Sequence, residues 1–206
     1  SSDLPQDPYT AEQVARFAGV LDALDAEGLR PPLVHAANSA GAIAHPAARF
    51  DLVRVGITVY GIAPSDALDP VAGLRPVLRL TSAVSFVKRV PAGAHLSYGL
   101  RYEVVADSTI VTVPVGYADG VPRRLGEVGG EVLIGGARYP IAGTVTMDQL
   151  LVDVGDAEVV AGDEVVLIGR QGDEEITAAD WASRLGTIAY EIVCGIGPRV
   201  PREYTG

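Results

Sequence analysis

Residues 33–61 read LVHAANSAGAIAHPAARFDLVRVGITVYG, and this stretch decides the fold of the first part of the chain. Leu33-Val34-His35 is a short apolar run that ends at the polar pair Asn38-Ser39. A second run, Leu52-Val53-Arg54-Val55, ends at Gly56. Leucine and β-branched residues in runs of this length, bounded by small polar residues, read as strands. Ala40 to Ala44 supplies one or two helical turns between them. Upstream, Val14, Phe17, Ala18, Leu21 and Leu24 recur at helical spacing over residues 11–27, with Thr10 as the expected N-cap. Gly28 stops that helix and Pro31-Pro32 bars its continuation. Helix, strand, helix, strand with short links is the order of parallel α/β structure.

Downstream of Pro70 the texture changes. Residues 77–90 alternate, and Leu78, Leu80, Val84 and Phe86 are expected on one face. β-branched runs follow at 109–115, 131–134, 150–154 and 164–168, and Gly135-Gly136 between two runs is a hairpin signal. Thr177-Ala178-Ala179-Asp180 has a capping pattern and opens a late helix with Trp181 and Leu185. The expectation is an α/β part over 1–72 and a β-rich part, sandwich or barrel-like, over 73–206. Two parallel strands cannot close a sheet. A (β/α)8 barrel takes about 250 residues, so 1–72 is expected to be the C-terminal part of one, its missing N-terminal barrel portion lying upstream of Ser1.

Composition narrows the function classes. The 206 residues carry a formal charge of −10. Residues 1–72 hold 4 basic and 9 acidic side chains and residues 73–206 hold 12 and 17, so neither part offers a basic patch for nucleic acid. No run approaches the ~20 apolar residues of a membrane span. Cys194 is the single cysteine, which excludes an internal disulfide and fits a reducing, cytoplasmic setting. No metal site is expected. Lys88 is the only lysine, so chemistry needing a lysine amine uses Lys88 or a lysine outside this chain.

Five segments carry candidate chemistry: His35–Ser39, Arg54–Ile57, Ser97-Tyr98-Gly99, Val115–Gly120 and Thr146–Gln149. Asn38-Ser39 and Gly56-Ile57 each follow a strand, where barrel loops often bind phosphate through backbone N–H groups and hydroxyls; plain strand-to-helix turns would have the same composition. Arg54 sits between Val53 and Val55, where an unpaired buried guanidinium would be costly, so it needs a ligand or a structural ion pair, or else lies exposed on one strand face. Tyr98, Tyr117 and Met147 read equally as site residues or as packing.

Taken in order, these segments resemble the bacterial alanine racemases over the full chain. The strings are Pro32-Leu33-Val34-His35 with Asn38-Ser39, Val53-Arg54 with Gly56-Ile57 and Tyr60-Gly61, Ser97-Tyr98-Gly99, Gly116-Tyr117-Ala118-Asp119-Gly120, Met147-Asp148-Gln149, and Ile168-Gly169-Arg170-Gln171-Gly172. The resemblance implies a fold-type III TIM barrel followed by a β-strand-rich C-terminal domain, in a head-to-tail homodimer with composite active sites. It implies pyridoxal 5'-phosphate as cofactor, with the covalent lysine upstream of this chain and Lys88 outside that role. It implies interconversion of L- and D-alanine by two opposed bases, Tyr98 being one. Arg54 would face the cofactor's ring nitrogen with His35 supporting it, and Asn38, Ser39, Gly56 and Ile57 would hold the phosphate. Met147 would meet the substrate carboxylate and Tyr117 would line the entry. Two other readings remain beside this: a broader amino-acid racemase of the same fold and, for this chain by itself, a non-catalytic dimerisation module.

Overall fold

Asp7-Pro8 starts the first helix earlier than residue 11. The structure, a computed structural model describing residues 2–205, places α1 at Pro8–Ala26, where Asp7 accepts the Tyr9 N–H at 2.8 Å. Pro8 at the first helical position has no N–H to leave unpaired. Thr10, the expected cap, therefore lies inside the first turn and is buried. Leu21 is buried and Val14, Phe17, Ala18 and Leu24 are half-buried, so the apolar face reads as expected. The Phe17 ring meets Phe50 edge-on, with centroids 5.4 Å apart.

The chain divides into two compact units, Ser1–Val77 and Leu78–Gly206, later than the 72/73 boundary expected. The Val77 N–H donates to Tyr60 O at 3.1 Å, which keeps this connector with the first unit. In that unit β1 (His35–Asn38) and β2 (Leu52–Arg54) pair in parallel, His35 opposite Leu52 and Asn38 opposite Arg54. α2 (Ser39–Ala44) leaves β1 directly, capped by Asn38, and α3 (Asp69–Ala72) is a single turn. β1 begins after Leu33-Val34 because Asp51 ties off Val34: its carboxylate accepts the Val34 N–H at 2.9 Å. All three residues of β2 are exposed, so of the alternatives open for Arg54 it is exposure on a strand face that the structure shows.

The second unit is built on short antiparallel strand pairings. Its strands are β3 (Leu80–Ala83), β4 (Phe86–Val90), β5 (His95–Leu96), β6 (Tyr102–Glu103), β7 (Ser108–Val113), β8 (Glu131–Ile134), β9 (Ala137–Pro140), β10 (Leu150–Gly155), β11 (Glu164–Gln171) and β12 (Glu174–Ile176). They form a sheet of order β10-β7-β4, a second of order β12-β11-β8-β9 with β3 also paired to β11, and the hairpin β5-β6. A bridge between Ile141 and Val152 ties the end of β9 to β10. Gly135-Gly136 makes the expected two-residue turn, both glycines at positive φ, with Ile134 opposite Ala137.

The alternation over 77–90 is not one strand face. The Val84 N–H donates to Asp163 O and the Ser85 N–H to Thr112 O, so the chain changes sheet between these two residues. Leu80 and Val84 are buried while Phe86 is 58% exposed. Val90, Val104 and Ile110 form a core beneath the β5–β6 hairpin, with Ala94, Leu96, Tyr102 and Leu151 packed against it. α4 (Ala178–Leu185) opens with the expected Thr177–Asp180 capping box and buries Trp181. α5 (Ala189–Gly195) was not anticipated. It has no side-chain cap, and burial of Ile192 and Val193 holds it. Among the described residues no helix is long and apolar enough to cross a membrane.

Candidate active site

In the first unit, parallel pairing brings the loops after β1 and β2 side by side. Ser39 is buried, and its Oγ accepts the Gly56 N–H at 3.0 Å and the Thr58 hydroxyl at 3.3 Å. Its own hydroxyl hydrogen remains available to donate. Ile57 opens a 3-10 turn, Ile57–Tyr60, whose first N–H groups have no carbonyl within the turn. Nothing lies within 4 Å of where a Cβ on Gly56 would stand. One hydroxyl and oriented backbone N–H groups beside open space suit an anion such as phosphate. Asn38 is partly committed elsewhere: its Oδ1 accepts the Gly41 N–H at 2.9 Å and the Ser2 hydroxyl at 3.1 Å.

Arg54 projects from the end of β2 with one guanidinium nitrogen 2.7 Å from His35 Nδ1. Guanidinium can only donate, so Nδ1 accepts and the ring hydrogen sits on Nε2. β1 and β2 run parallel with a register shift between His35 and Asn38, and the Arg54 side chain reaches across to His35. Arg54, Asn38, Thr10 and Phe17 share the lining of a hollow of about 340 Å³ within this unit.

In the second unit, Tyr98 stands at the tip of the loop joining β5 and β6, 68% exposed. The loop backbone is strained: Ser97 has φ 62° and ψ 178°, and Leu100 has φ 52°. Such conformations cost on the order of 1–3 kcal/mol each for residues other than glycine. The Ser97 hydroxyl donates to Thr144 O at 2.6 Å and the Leu100 N–H to Ser97 O at 3.1 Å. Gly143 makes this approach possible, since a Cβ there would stand 2.9 Å from Ser97 Cβ.

Tyr117 and Met147 lie on two turns zipped together. The Tyr117 N–H donates to Thr146 O at 2.9 Å and the Ala118 N–H to Met147 O at 3.0 Å. The contact requires Gly116, where a Cβ would fall 2.3 Å from both carbonyl oxygens. Met147 and Tyr117 are 52% and 42% exposed. Arg199 bridges the two turns, 3.2 Å from Asp119 and 2.6 Å from Asp148. Residues 143–147 thus join all three second-unit candidates, through Ser97 at one end and Tyr117 at the other. The reading of single motifs missed Arg199, Thr144 and Glu127, which act on the loops without being on them. The signal available was weak: an arginine in Gly-Pro-Arg-Val and acids in Tyr-Ala-Asp and Met-Asp.

An α/β unit with a buried serine and unpaired turn N–H groups at its strand ends, followed by a β unit presenting an exposed tyrosine, is a two-part α/β-plus-β protein. The chain belongs to the alanine racemase family. Residues 77–204 match the family's C-terminal domain and residues 1–64 its N-terminal domain. It is 49% identical over 205 residues to an alanine racemase of Frankia casuarinae, covering 98% of this chain and 53% of that protein. With an alanine racemase of Symbiobacterium thermophilum it shares 50% over 207 residues, covering 100% of this chain and 55% of that protein. The solved alanine racemase of Bacillus anthracis, with bound L-Ala-P, superimposes with a TM-score of 0.90 at 42% identity, over 97% of this chain and 51% of that one. The chain spans about half the length of the curated relatives it matches.

Proposed function

We propose that this chain is the part of a pyridoxal-phosphate-dependent alanine racemase that holds the cofactor's phosphate and ring nitrogen and supplies one base. The observation that carries the reading is full-chain similarity to alanine racemases combined with the Ser39–Gly56–Ile57 donor set and the His35–Arg54 pair. The family is pyridoxal-phosphate dependent. When bound, that cofactor draws negative charge from the Cα of alanine into its ring, which makes the Cα proton removable at neutral pH.

The residues of this chain do the rest of the assigned work. The Ser39 hydroxyl and the Ile57 N–H bind the phosphate, and Gly56 keeps space for it. Arg54 donates a hydrogen bond to the ring nitrogen without giving up a proton, because guanidinium stays protonated above pH 12. His35 orients that guanidinium through Nδ1. Tyr98 Oη takes or returns the Cα proton on one face only, so inversion needs a second base on the other face. Lys88 is exposed on β4 and is not assigned that role. The Met147 N–H meets the substrate carboxylate and Tyr117 narrows the entry.

We further assign Tyr98, Tyr117 and Met147 to the active site of a second copy, in a homodimer of TIM-barrel and β-rich domains. Their common exposure on linked turns supports this. The test uses the full-length enzyme with pyridoxal phosphate and L-alanine, following D-alanine by chiral chromatography. Tyr98→Phe keeps the ring and is expected to lose roughly 10² to 10⁴ in rate while retaining cofactor. No racemisation of alanine by the intact protein, or full activity in Tyr98→Phe, would overturn the assignment.

A further inference from the structure

We propose that Ser97, Thr144, Glu127 and Arg101 form a clasp that holds the Tyr98 loop in its working position, so that these four are positioning residues for proton transfer. The inference rests on Tyr98 being the base. The clasp grips both ends of the loop. At the start, the Ser97 hydroxyl donates to Thr144 O at 2.6 Å. Thr144 is buried, and its own hydroxyl lies 3.0 Å from Glu127 Oε1 and 3.5 Å from Tyr98 O. At the far end, Arg101 forms an ion pair with the same Glu127 oxygen at 3.1 Å. The Arg101 side chain folds beneath Gly99, with Nε 3.3 Å from where a Cβ on that glycine would be.

Packing within the second unit gives no reason for this backbone. Strain in a loop is ordinarily offset by burying apolar surface, yet Tyr98 is 68% and Leu100 64% exposed. The core under the hairpin, Val90, Val104 and Ile110, lies below the tip and does not include it. Ser97, Gly99 and Leu100 all have positive φ within four residues. A chain free to relax would return Ser97 to negative φ and swing the Cα–Cβ bond of Tyr98 away. The Ser97 hydrogen bond to buried Thr144 and the Arg101–Glu127 ion pair prevent that. The clasp therefore sets the direction of the phenol, and a base misplaced by about 1 Å costs on the order of 10²-fold in rate.

The test uses the full-length holoenzyme with Ser97→Ala, Ser97→Gly and Thr144→Val, and Tyr98→Phe as control. Ser97→Gly removes the hydroxyl but accepts the positive φ, so it keeps the test informative where Ser97→Ala or Thr144→Val fails to fold. Each clasp variant is expected to lower kcat by about 10- to 100-fold with KM and cofactor retention little changed. In deuterated water, Cα exchange should slow for the enantiomer whose proton faces Tyr98 and persist for the other. A fold defect would slow both. If Tyr98→Phe shows this asymmetry and the clasp variants do not, or if they slow both enantiomers equally, the clasp is overturned while the base stands. If Tyr98→Phe itself shows no asymmetry, the base assignment falls and the clasp falls with it.

Discussion

At the scale of single residues, the 2.7 Å His35–Arg54 contact sets the direction of a guanidinium that, among the described residues, has no other side-chain partner in its unit. Both side chains are exposed, so the bond is worth less than the ~1.5–3 kcal/mol of a hydrogen bond to a charged group in a protein interior. His35→Phe preserves an aromatic of similar size and removes the acceptor. The expected outcome is cofactor retention weakened about fivefold, read by equilibrium dialysis of the full-length enzyme against pyridoxal phosphate. Unchanged retention would mean that Arg54 finds its place without His35. Residue order placed Arg54 inside a strand over residues 52–55 and left both burial with a partner and exposure on one face open; β2 ends at Arg54 and is exposed. Which face of β2 is covered depends on what packs against it, a property that residues 52–55 do not contain.

At the scale of elements, two local devices make separate predictions. Beside the β3–β11 pairing, Arg79 grips Glu164 with two parallel hydrogen bonds of 2.9 and 2.8 Å. The Arg79 hydrogen bonds, opposed by partial burial and helped by Gln171, hold the Glu164 carboxyl below its ordinary value of 4.5. A carboxyl depressed on folding adds stability in full above that ordinary value and loses it as pH falls through the lower folded value. Both side chains are nearly half exposed, so the contribution is about 0.5 kcal/mol or less. Glu164→Gln should therefore lower stability slightly at pH 7, and the gap from the parent should shrink by pH 3 in urea denaturation. A gap independent of pH would show that the charge is not its source. At α4, the Asp180 N–H donates to Thr177 Oγ1 at 3.0 Å and the Thr177 N–H to Asp180 Oδ2 at 2.7 Å. Thr177→Ala removes the first of these bonds and should cost about 1 kcal/mol by the same assay. This cap was legible because its partners are three residues apart. α5 was not, because its support comes from buried Ile192 and Val193 and from no capping side chain.

For the whole molecule, the proposed composite site gives a complementation test. If Tyr98 serves the site of one copy and Arg54 that of the other, a dimer of one Tyr98→Phe subunit and one Arg54→Ala subunit has one doubly defective site and one intact site. Random pairing in a two-fold dimer makes half of the dimers mixed, so co-expression should restore about a quarter of parental activity. Were both residues to serve the same site within one copy, the mixture would show only the residual rates of the two variants. Chiral chromatography of alanine products distinguishes these outcomes.

Residue order by itself determined the class of each unit. The 3.6-residue spacing of Val14 to Leu24, the paired runs around Asn38-Ser39 and Gly56, and the Gly135-Gly136 turn each act over a few neighbouring positions, where local geometry leaves little choice. The same holds for the order of motifs that marks the family. Tertiary structure alone decided where the strand face over 77–90 breaks, because Val84 and Ser85 answer to partners near residues 163 and 112. It alone joined Ser97 to Thr144 and Arg199 to Asp119 and Asp148, contacts between residues 47 to 80 positions apart. Hydrogen bonds of that kind are set by sheet pairing and packed glycines, so no local pattern announces them.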